Sequence, residues 1–542
     1  MRVVCSKQIA QGDDPLIPNE EVGHLAGLTR DKLEGREAEA KKWTCGICAF
    51  HNPSDKLTCV LCDTSKATFL LVMPEFRAVA GTLPLDQLND KQRSAKNRNQ
   101  WKRKHNGSAW EWQAFPPANA HDYLVLAAAS TTDSPCLMQP STMSAGRSVL
   151  GHVLPSWWSG QLAELQTTPF SLKYAWLLSY LATVYPSHAK LTLRRESIFD
   201  QSMYALTKAP TDQLCFLTII SLVGESAVDA GGVTREWYTL LTMAIMDERR
   251  GLFTVTNNAD QSYYINPNSE NVHGANHLDR YLAIGRLLGR AIIDEQVLPF
   301  HFCVPLFKML LGYPVSMDDI RYLDPTVYSS LVYVRDCDDV DDLALTFSVT
   351  VDEAGSEVEL VVGGRDIAVT NANKAEYVDR MVQYLLFDRV APQLQHLVQG
   401  LYDVLPQELL MPFDYKELEL ILCGFSEIDV ADWKRSTIVS KSLEDVVGWF
   451  WDVIEFDMTA SERAKLLQFT TGSSRVPLQG FRALTSQLCP FSLHGVPYER
   501  GVFPKVHSCF NRIDLPIYPT RALLAEGLCA LVNIQSMAFT MV

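Results

Sequence analysis

Apolar residues recur at helical spacing through most of the chain beyond about residue 170. The repeat is clearest in the segments LKYAWLLSYLATVY, REWYTLLTMAIM, LDRYLAIGRLLGRAII and EYVDRMVQYLLFDRVAPQLQHLVQGLYDVL. Shorter apolar runs, LALTFSVTV and VELVVGG, lie among them. A period of three to four residues predicts amphipathic helices, and the short runs predict strands. We therefore expect an α+β fold in which helices dominate.

Changes in composition indicate two boundaries along the chain. Residues 127–148 are small, polar and interrupted by Pro, which is typical of a linker or an exposed loop. Gly, Asp and Ser separate two strongly helical stretches at residues 423–441. Gly285 and Gly289 lie one helical turn apart in a segment that also carries charged residues, so we expect them to permit close helix contact.

The charge balance restricts the class of protein. The chain has 542 residues, with 48 Lys and Arg against 63 Asp and Glu, a net charge of -15. This acidity argues against a main role in coating nucleic acid or an anionic membrane. The start lacks the apolar stretch of a signal peptide, and the most apolar run, residues 174–185, is shorter than the ~20 residues of a bilayer-spanning helix. We expect no membrane span, and a location in the cytoplasm with the nucleus as a second compartment.

One basic segment, KQRSAKNRNQWKRKH at residues 91–105, departs from this acidity. It is compatible with a nuclear-import signal or an auxiliary nucleic-acid contact. A solvated helix face or loop is the alternative that we favour, because the surrounding chain is not basic. We do not expect nucleic acid as a partner.

Four of the 13 cysteines form a compact pattern of C-x-x-C, ten residues and C-x-x-C. Two such pairs can complete the tetrahedral sulfur shell that a structural zinc prefers, and no ligand position is then left for a reactive water. The sequence therefore predicts a structural zinc site at Cys45, Cys48, Cys59 and Cys62.

The cysteine cluster resembles the small zinc ribbon of the Ran-binding-protein and Npl4 type. Trp43 and Asn52 occupy the positions of the Trp and Asn in that pattern. Some fingers of this type bind ubiquitin through a Thr-Phe pair and an apolar residue between the last two cysteines. Phe50 and Leu61 match those positions, whereas Ala49 stands where Thr would be. The resemblance implies either a ubiquitin-binding finger or a finger with a structural or other protein-binding role.

A second candidate for chemistry is Cys509, in FPKVHSCFNRIDLPIYPT. Residues two apart in a strand share a face, so His507 can lie on the same side as Cys509, and an imidazolium there would raise the thiolate fraction. A buried structural cysteine is the alternative. A papain-like order is excluded because no His follows Cys509, while a hydrolase that uses His273 or His277 stays open.

The segment HSCFNRIDLP resembles the active-site signature of HECT ubiquitin ligases, with Ser508 where the family usually has Thr. Other segments match this family in the same order along the chain. They are VDAGGVTREWYTLL, YYINPNSE, LAIGRLLGRAIIDEQVLPFHF, VTNANKAEYVDRMVQYLL, LELILCGFSEIDVADW, WFWDVIEFDM and LLQFTTGSSRVPLQGF. On these residues the chain is identified as a member of the family over about residues 170–542.

The resemblance implies a bilobal HECT domain of the α+β class. We expect a large helical N-lobe with small sheets at residues 170–435, a hinge at 436–441 and a smaller α/β C-lobe at 442–542. Before it we place an N-terminal segment at 1–37, the zinc ribbon at 38–68, an unassigned region with the basic segment at 69–126 and a linker-like region at 127–169.

The resemblance also implies acyl transfer through Cys509. Ubiquitin arrives as a thioester on a conjugating enzyme docked to the N-lobe, passes to Cys509 and is then transferred to lysines of protein substrates. His507 is a candidate assisting group, and Phe539, near the C-terminal end, is a candidate for lysine transfer. Candidate contacts with the conjugating enzyme are Tyr328, Leu331 and Tyr333. A catalytically silent HECT scaffold and a cysteine hydrolase acting on ubiquitin are the two other classes that stay open.

Overall fold

The computed structural model describes residues 42–52, 56–66, 87–105, 110–115, 123–128, 136–140, 158–184, 188–211, 213–214, 216–224, 232–257, 262–351, 356–425, 428–471, 473–476, 478, 480–481, 490–507 and 510–533. Within these ranges, none of the helices is both long and apolar enough to cross a bilayer. The first unit is the cysteine-rich finger at residues 42–66. Its antiparallel strands are β1 (Trp43–Thr44) and β2 (His51–Asn52).

The regions predicted as unassigned and linker-like contain regular structure. Helix α1 begins after a capping box, in which Asn89 and Gln92 each accept the other's backbone N–H. It is followed by two antiparallel hairpins and a second helix. These elements are α1 (Asp90–Asn97), β3 (Trp101–His105), β4 (Trp110–Ala114), β5 (Leu124–Ala128), β6 (Cys136–Pro140) and α2 (Trp158–Leu165).

The region from α1 to α2 packs on the N-lobe. Its linker-like composition at residues 127–148 did not predict this packing. Trp101, Leu126 and Leu162 are buried in the same apolar core as the N-lobe helices. Leu124 and Val315 exchange backbone hydrogen bonds of 2.8 Å in both directions. Leu126 and Leu162 therefore extend the N-lobe, because these two apolar side chains complete its core.

From Phe170 onward, the described part of the N-lobe is mainly helical and carries three small sheets. Its strands are the parallel pair β7 (His188–Leu193) and β8 (Leu217–Leu222), the three-stranded sheet of β9 (Phe253–Asn257), β10 (Ser262–Ile265) and β11 (His301–Phe302), and the antiparallel pair β12 (Ser348–Thr350) and β13 (Glu357–Glu359). Its helices are α3 (Phe170–Val184), α4 (Ile198–Lys208), α5 (Gly232–Met246), α6 (Glu270–His273), α7 (His277–Ile293), α8 (Val304–Leu310), α9 (Pro325–Asp336), α10 (Lys374–Leu386), α11 (Ala391–Val404), α12 (Gln407–Leu410) and α13 (Tyr415–Cys423).

Helices α7 and α11 cross at glycines in the middle of the N-lobe core. A Cβ atom at Gly285 would lie 2.1 Å from the carbonyl oxygen of Leu397, and one at Gly400 would lie 2.2 Å from that of Leu282. A Cβ at Gly289 would lie 2.6 Å from the side chain of Val404. The two backbones therefore approach closely, as the sequence predicted for Gly285 and Gly289.

The C-lobe is a separate α/β unit with its own apolar core. Its four strands lie in the order β14 (Ile438–Val439), β15 (Ser492–Val496), β17 (Arg512–Pro516) and β16 (Lys505–His507). The pairs β14–β15 and β15–β17 are parallel, and β16–β17 is antiparallel. Its helices are α14 (Val430–Arg435), α15 (Val447–Asp452), which continues as a π-helix at Val453–Asp457, α16 (Ala460–Thr471) and α17 (Arg521–Asn533).

The passage between the lobes lies before the predicted hinge. Residues 436–441 include β14, whose Ile438 N–H donates to Phe491 O at 2.8 Å inside the C-lobe sheet. Trp433 is fully buried in the C-lobe core and stacks on Phe481 at 4.9 Å. The N-lobe core ends at Cys423. The chain therefore passes from one core to the other between Cys423 and Trp433, since sheet pairing and the Trp433 contact attach it to the C-lobe from Trp433 onward. The described residues of this passage that precede α14, at positions 424–425 and 428–429, are named the interlobe linker.

Candidate active site and metal centre

The four cysteines of the finger lie in two turns with matching backbone geometry. Ala49 N–H donates to Cys45 O and Asp63 N–H donates to Cys59 O, both at 2.8 Å. Ala49 and Asp63, which each follow the second cysteine of a pair, both have left-handed backbones, with φ of 56° and 54°. The sequence repeat C-x-x-C thus produces a structural repeat, in which each turn supplies two thiols.

The sulfur atoms of the two turns converge. The Sγ atom of Cys48 lies 3.5 Å from that of Cys59 and 3.7 Å from that of Cys62, and Cys45 Sγ lies 3.6 Å from Cys62 Sγ. A tetrahedral shell with Zn–S bonds of ~2.3 Å separates its sulfurs by about 3.8 Å. The four thiols are buried and form no disulfide. This arrangement fits a tetrahedral metal ion held entirely by protein ligands.

Two side chains from the predicted ribbon pattern join the turns. Asn52 is fully buried, accepts the N–H of Val60 at 3.0 Å through Oδ1 and donates through Nδ2 to Phe50 O at 3.1 Å. Trp43 Nε1 donates to Lys56 O at 2.9 Å. Asn52 and Trp43 therefore fix the first turn relative to the second, which explains why these residue types occur at these positions.

The structure places the two candidate ubiquitin contacts of the finger inside the protein. Leu61 is 3% exposed and Phe50 is 6% exposed. The Phe50 ring lies 6.1 Å from that of Phe170 in helix α3, and the Arg98 guanidinium lies 5.5 Å from its centroid. Phe50 is thus covered by the N-lobe and by α1, so a partner would have to displace these groups to reach it.

The C-terminal candidate site lies at the hairpin of β16 and β17. His507 pairs with Arg512 across the two strands, and the four residues that join them include Cys509. Ser508 and Cys509 lie outside the described residues, as does Phe539. Beside them, Phe510 is 56% exposed, and Asn511 is fully buried with a left-handed backbone, φ 49°.

His507, Arg512 and Asp514 form a charged cluster on this hairpin. Nε2 of His507 lies 2.9 Å from Asp514 Oδ2, and Nε of Arg512 donates to Asp514 Oδ1 at 2.6 Å. Burial alone would raise the pKa of Asp514, but the hydrogen bonds and charges of Arg512 and His507 outweigh it and lower that pKa. Asp514 is therefore ionised and can only accept, so His507 Nε2 carries the proton and Nδ1 is its second nitrogen. Asp514 is part of the segment HSCFNRIDLP, and the antiparallel pairing of β16 with β17 brings it beside His507.

An N-lobe residue that the sequence did not single out contacts this hairpin. Arg235, in the first turn of α5, is 6% exposed. Its Nε donates to Thr471 O at 2.6 Å, at the end of α16, and its Nη2 donates to Asn511 Oδ1 at 3.1 Å. A cation is favoured at the carbonyl end of a helix. Arg235 therefore connects the N-lobe to the segment two residues beyond Cys509, and its place in the TREW motif is the only sequence signal for it.

The three candidate contacts for a conjugating enzyme lie on helix α9. The helix starts at Pro325 and is capped by Asp324, whose side chain accepts the N–H groups of Thr326 and Val327. Tyr333 is 60% exposed, and Tyr328 is half-buried with its hydroxyl donating to Asp318 Oδ1 at 3.0 Å. Leu331 is 3% exposed and packs in the N-lobe core. Of the three candidate contacts, the two tyrosines are thus accessible and Leu331 is not.

The histidines that a hydrolase could use are occupied within the N-lobe. His273 Nε2 donates to Arg250 O at 2.7 Å, and His277 Nδ1 lies 3.1 Å from Ser269 Oγ. Among the other described cysteines, Cys423 is buried, and burial raises the pKa of its thiol. No described contact links these groups to the β16–β17 hairpin.

The basic segment is not a uniformly solvated face. Arg98 is buried and donates to Asp414 Oδ2 at 2.6 Å, next to Glu417. Arg103 lies over the Trp112 ring at 4.5 Å and donates to the carbonyl of Leu311. These two cations are used in contacts with the N-lobe, which the local pattern did not predict because their partners are distant in sequence.

The fold and this hairpin define a bilobal α+β protein in which Asn511, two residues after Cys509 in the sequence, attaches the hairpin of the smaller lobe to Arg235 of the larger lobe. The profile of the family described as "HECT-domain (ubiquitin-transferase)" matches residues 239–542, which is more than half of the chain. The chain belongs to this family.

Curated relatives from distant organisms agree with this assignment. The E3 ubiquitin-protein ligase TOM1 of Saccharomyces cerevisiae is 38% identical over 351 residues, covering 63% of this chain and 11% of that protein. The ligase Smurf1 of Drosophila melanogaster is 38% identical over 373 residues, covering 66% and 34% respectively. The ligase UPL1 of Arabidopsis thaliana is 36% identical over 366 residues, covering 65% and 10%. The chain thus spans between about a tenth and a third of the length of these relatives.

Proposed function

We propose that the chain is an E3 ubiquitin-protein ligase that carries ubiquitin as a thioester on Cys509. The observation that supports this most strongly is the family match over residues 239–542, which includes the whole β16–β17 hairpin. A ubiquitin-conjugating enzyme, ubiquitin and protein substrates are the proposed partners. Cytoplasmic and nuclear location stays a prediction from the sequence.

The proposed reaction has two acyl-transfer steps. The Cys509 thiolate attacks the carbonyl carbon of the thioester between ubiquitin and the conjugating enzyme, and the conjugating enzyme leaves as a thiolate. A substrate lysine amine then attacks the new thioester, an isopeptide bond forms, and the amine loses a proton as the Cys509 sulfur departs. His507 is proposed to assist through its Nδ1 atom, because Asp514 holds Nε2.

Three further side chains have proposed roles, one in transfer to lysine and two in contact with the conjugating enzyme. Phe539, in the terminal sequence AFTMV, is proposed to assist transfer to lysine. Tyr328 and Tyr333 are proposed to contact the conjugating enzyme, since both have surface on α9, whereas the buried Leu331 supports that helix from the core.

We propose that the finger is a zinc ribbon of the Ran-binding-protein and Npl4 type, with zinc as a structural ion. When bound, zinc would offset part of the negative charge of the four thiolates and cross-link them. The separation of the sulfur atoms supports this, as do Trp43 and Asn52. Ubiquitin binding through Phe50 and Leu61 stays a prediction, and it requires the finger to separate from Phe170.

Metal content tests the zinc site directly. We expect the purified full chain to contain about one zinc ion per molecule by elemental analysis, and Cys48→Ser to lose it, because three thiolates no longer complete the shell. Cys529→Ser is the matched control, since Cys529 is an exposed C-lobe cysteine outside the cluster. Equal zinc content in the Cys48→Ser variant and the wild type would contradict the assignment.

A thioester assay tests the proposed catalytic role. The chain is incubated with activating enzyme, a panel of conjugating enzymes and ubiquitin, and is resolved without reductant. We expect an adduct that thiols remove, that Cys509→Ala abolishes and that Cys529→Ala retains. A silent scaffold and a ubiquitin hydrolase both predict no such adduct, so its absence with every conjugating enzyme would overturn the ligase function.

A further inference from the structure

The finger forms a joint core with α1 and the N-lobe. Its buried apolar residues cluster with Leu88 and Ala95 on the α1 side and with Leu420 of α13. Helix α1 is also attached to α13 of the N-lobe, because Tyr415 Oη donates to Ser94 O at 2.5 Å. On the finger side, Gln92 Nε2 donates to Thr64 Oγ1 at 3.1 Å. The finger is therefore held against the N-lobe at a defined place.

Buried charges reinforce that attachment. Arg98, at the end of α1, contacts the Phe50 ring with one face and donates to Asp414 Oδ2 at 2.6 Å. Lys173 of α3 donates to Glu417 Oε2 at 2.8 Å, and both of these side chains are buried. Desolvated pairs of this kind are costly to break, because a single charge would remain buried without its partner. The finger thus has a fixed base on the N-lobe.

A second face of the finger contacts the interlobe linker. Lys56 Nζ lies 3.5 Å from Asp429 Oδ2, and these side chains are only 13% and 17% exposed. The same ammonium lies 6.0 Å from the centroid of Phe425. Asp429 also caps the first C-lobe helix, α14, by accepting the N–H of Asp432 at 3.0 Å. One finger residue therefore contacts both ends of the passage between the lobes.

The contact with the linker is limited to a few groups. A cavity of about 920 Å³ lies between the finger, the start of α3 and the linker, and its lining includes Lys56, Phe170, Phe425 and Asp429. The linker side of the finger is thus joined through the Lys56–Asp429 charge pair and through the Phe425 ring, which packs at the edge of the finger's apolar cluster. A single charge reversal is expected to release it while the core with Leu420 stays intact.

We propose that the Lys56 face of the finger is an intramolecular docking surface for the interlobe linker, and that this docking restrains the C-lobe relative to the N-lobe. The partner is the segment of the same chain that carries Phe425 and Asp429. Its cation-accepting ring and its carboxylate match the ammonium of Lys56. An effect of this restraint on ubiquitin transfer rests on the proposed function, whereas the docking itself does not.

Amide hydrogen exchange on the full chain tests the docking. In Lys56→Glu, like charges oppose each other at Asp429, and exchange at Phe425 and at residues 428–430 is expected to become roughly three- to tenfold faster, the range for loss of a partly buried ion pair. Lys66→Glu is the matched control, because it makes the same charge change on the same finger where the ammonium lies over Trp43. That variant should leave linker exchange at the wild-type rate.

A second substitution separates repulsion from misfolding. Asn caps a helix as well as Asp does, so Asp429→Asn keeps the α14 cap while it removes the opposing charge. In the double variant Lys56→Glu/Asp429→Asn, linker exchange should return toward the wild-type rate. Unchanged exchange in Lys56→Glu, or equal acceleration in Lys66→Glu, overturns the proposal. A wild-type chain that forms no thioester refutes the ligase function instead and leaves the exchange result intact.

Discussion

At the scale of single residues, the contact that matters most is the one Arg235 makes across the lobes. Its guanidinium reaches from the N-lobe to Thr471 O and Asn511 Oδ1, and both ends of the contact are buried. Asn511 is two residues from Cys509 and is held in a left-handed conformation. Arg235 is thus a positioning residue for the turn that carries the proposed nucleophile.

Substitution of Arg235 should slow transfer without removing the thiol. In Arg235→Ala two buried acceptors lose their charged donor, and we expect single-turnover ubiquitin transfer through Cys509 to slow roughly tenfold to hundredfold. Arg235→Lys keeps the charge but not the forked donors, so it should be intermediate. The control is Arg249→Ala, since Arg249 is exposed and pairs with nearby Asp247 on the surface of the N-lobe. If transfer is equally fast in the Arg235→Ala and Arg249→Ala variants, Arg235 does not position the turn.

At the scale of elements, the crossing of α7 and α11 sets the architecture of the N-lobe. The glycine pair Gly285 and Gly400 lets the two backbones meet, and no side chain fits between them. The helical repeat of LDRYLAIGRLLGRAII predicts the helix, and its glycines predict a close neighbour. The sequence does not say which helix is that neighbour, because the contact joins residues far apart along the chain.

Gly285→Ala is expected to destabilise the N-lobe. The new methyl group would overlap the Leu397 carbonyl at 2.1 Å, and overpacking of this kind costs about 1–3 kcal/mol. Gly448→Ala makes the same change in helix α15, where the added Cβ would meet no atom within 4 Å apart from its chain neighbours and its own helix backbone, and helix propensity should make it neutral or stabilising. Thermal unfolding measured by circular dichroism compares the two. Equal midpoints would contradict the packing account of Gly285.

At the scale of the whole molecule, short sequence motifs predicted the family and the finger, but they did not predict the contacts between distant parts of the chain. The collinear segments predicted the family and the two lobes, which the family match and the two apolar cores support. The finger pattern predicted converging thiols, because C-x-x-C turns are local. The docking of the finger was not predicted, since Arg98 and Asp414 are 316 positions apart and Arg98 lies in a run that resembles a solvated basic segment.

The position of the hinge also depends on contacts between residues that are distant in the sequence. Polar residues at 436–441 resemble a linker, but strand pairing to β15 attaches Ile438 and Val439 to the C-lobe, and the passage between the two cores lies before them, after Cys423. With this position, the finger contacts the passage directly through Lys56. The finger, the N-lobe and the C-lobe therefore meet at the passage between the lobes.

Mass spectrometry under single-turnover conditions can show whether Cys509 is the residue that carries ubiquitin. The chain is charged by a ubiquitin-loaded conjugating enzyme, quenched in acid and digested without reductant. We expect one ubiquitin remnant, sensitive to thiols, on the peptide that contains Cys509. A remnant on Cys529 or another cysteine instead, or a chain that remains unmodified while the conjugating enzyme discharges directly to lysine, would contradict it.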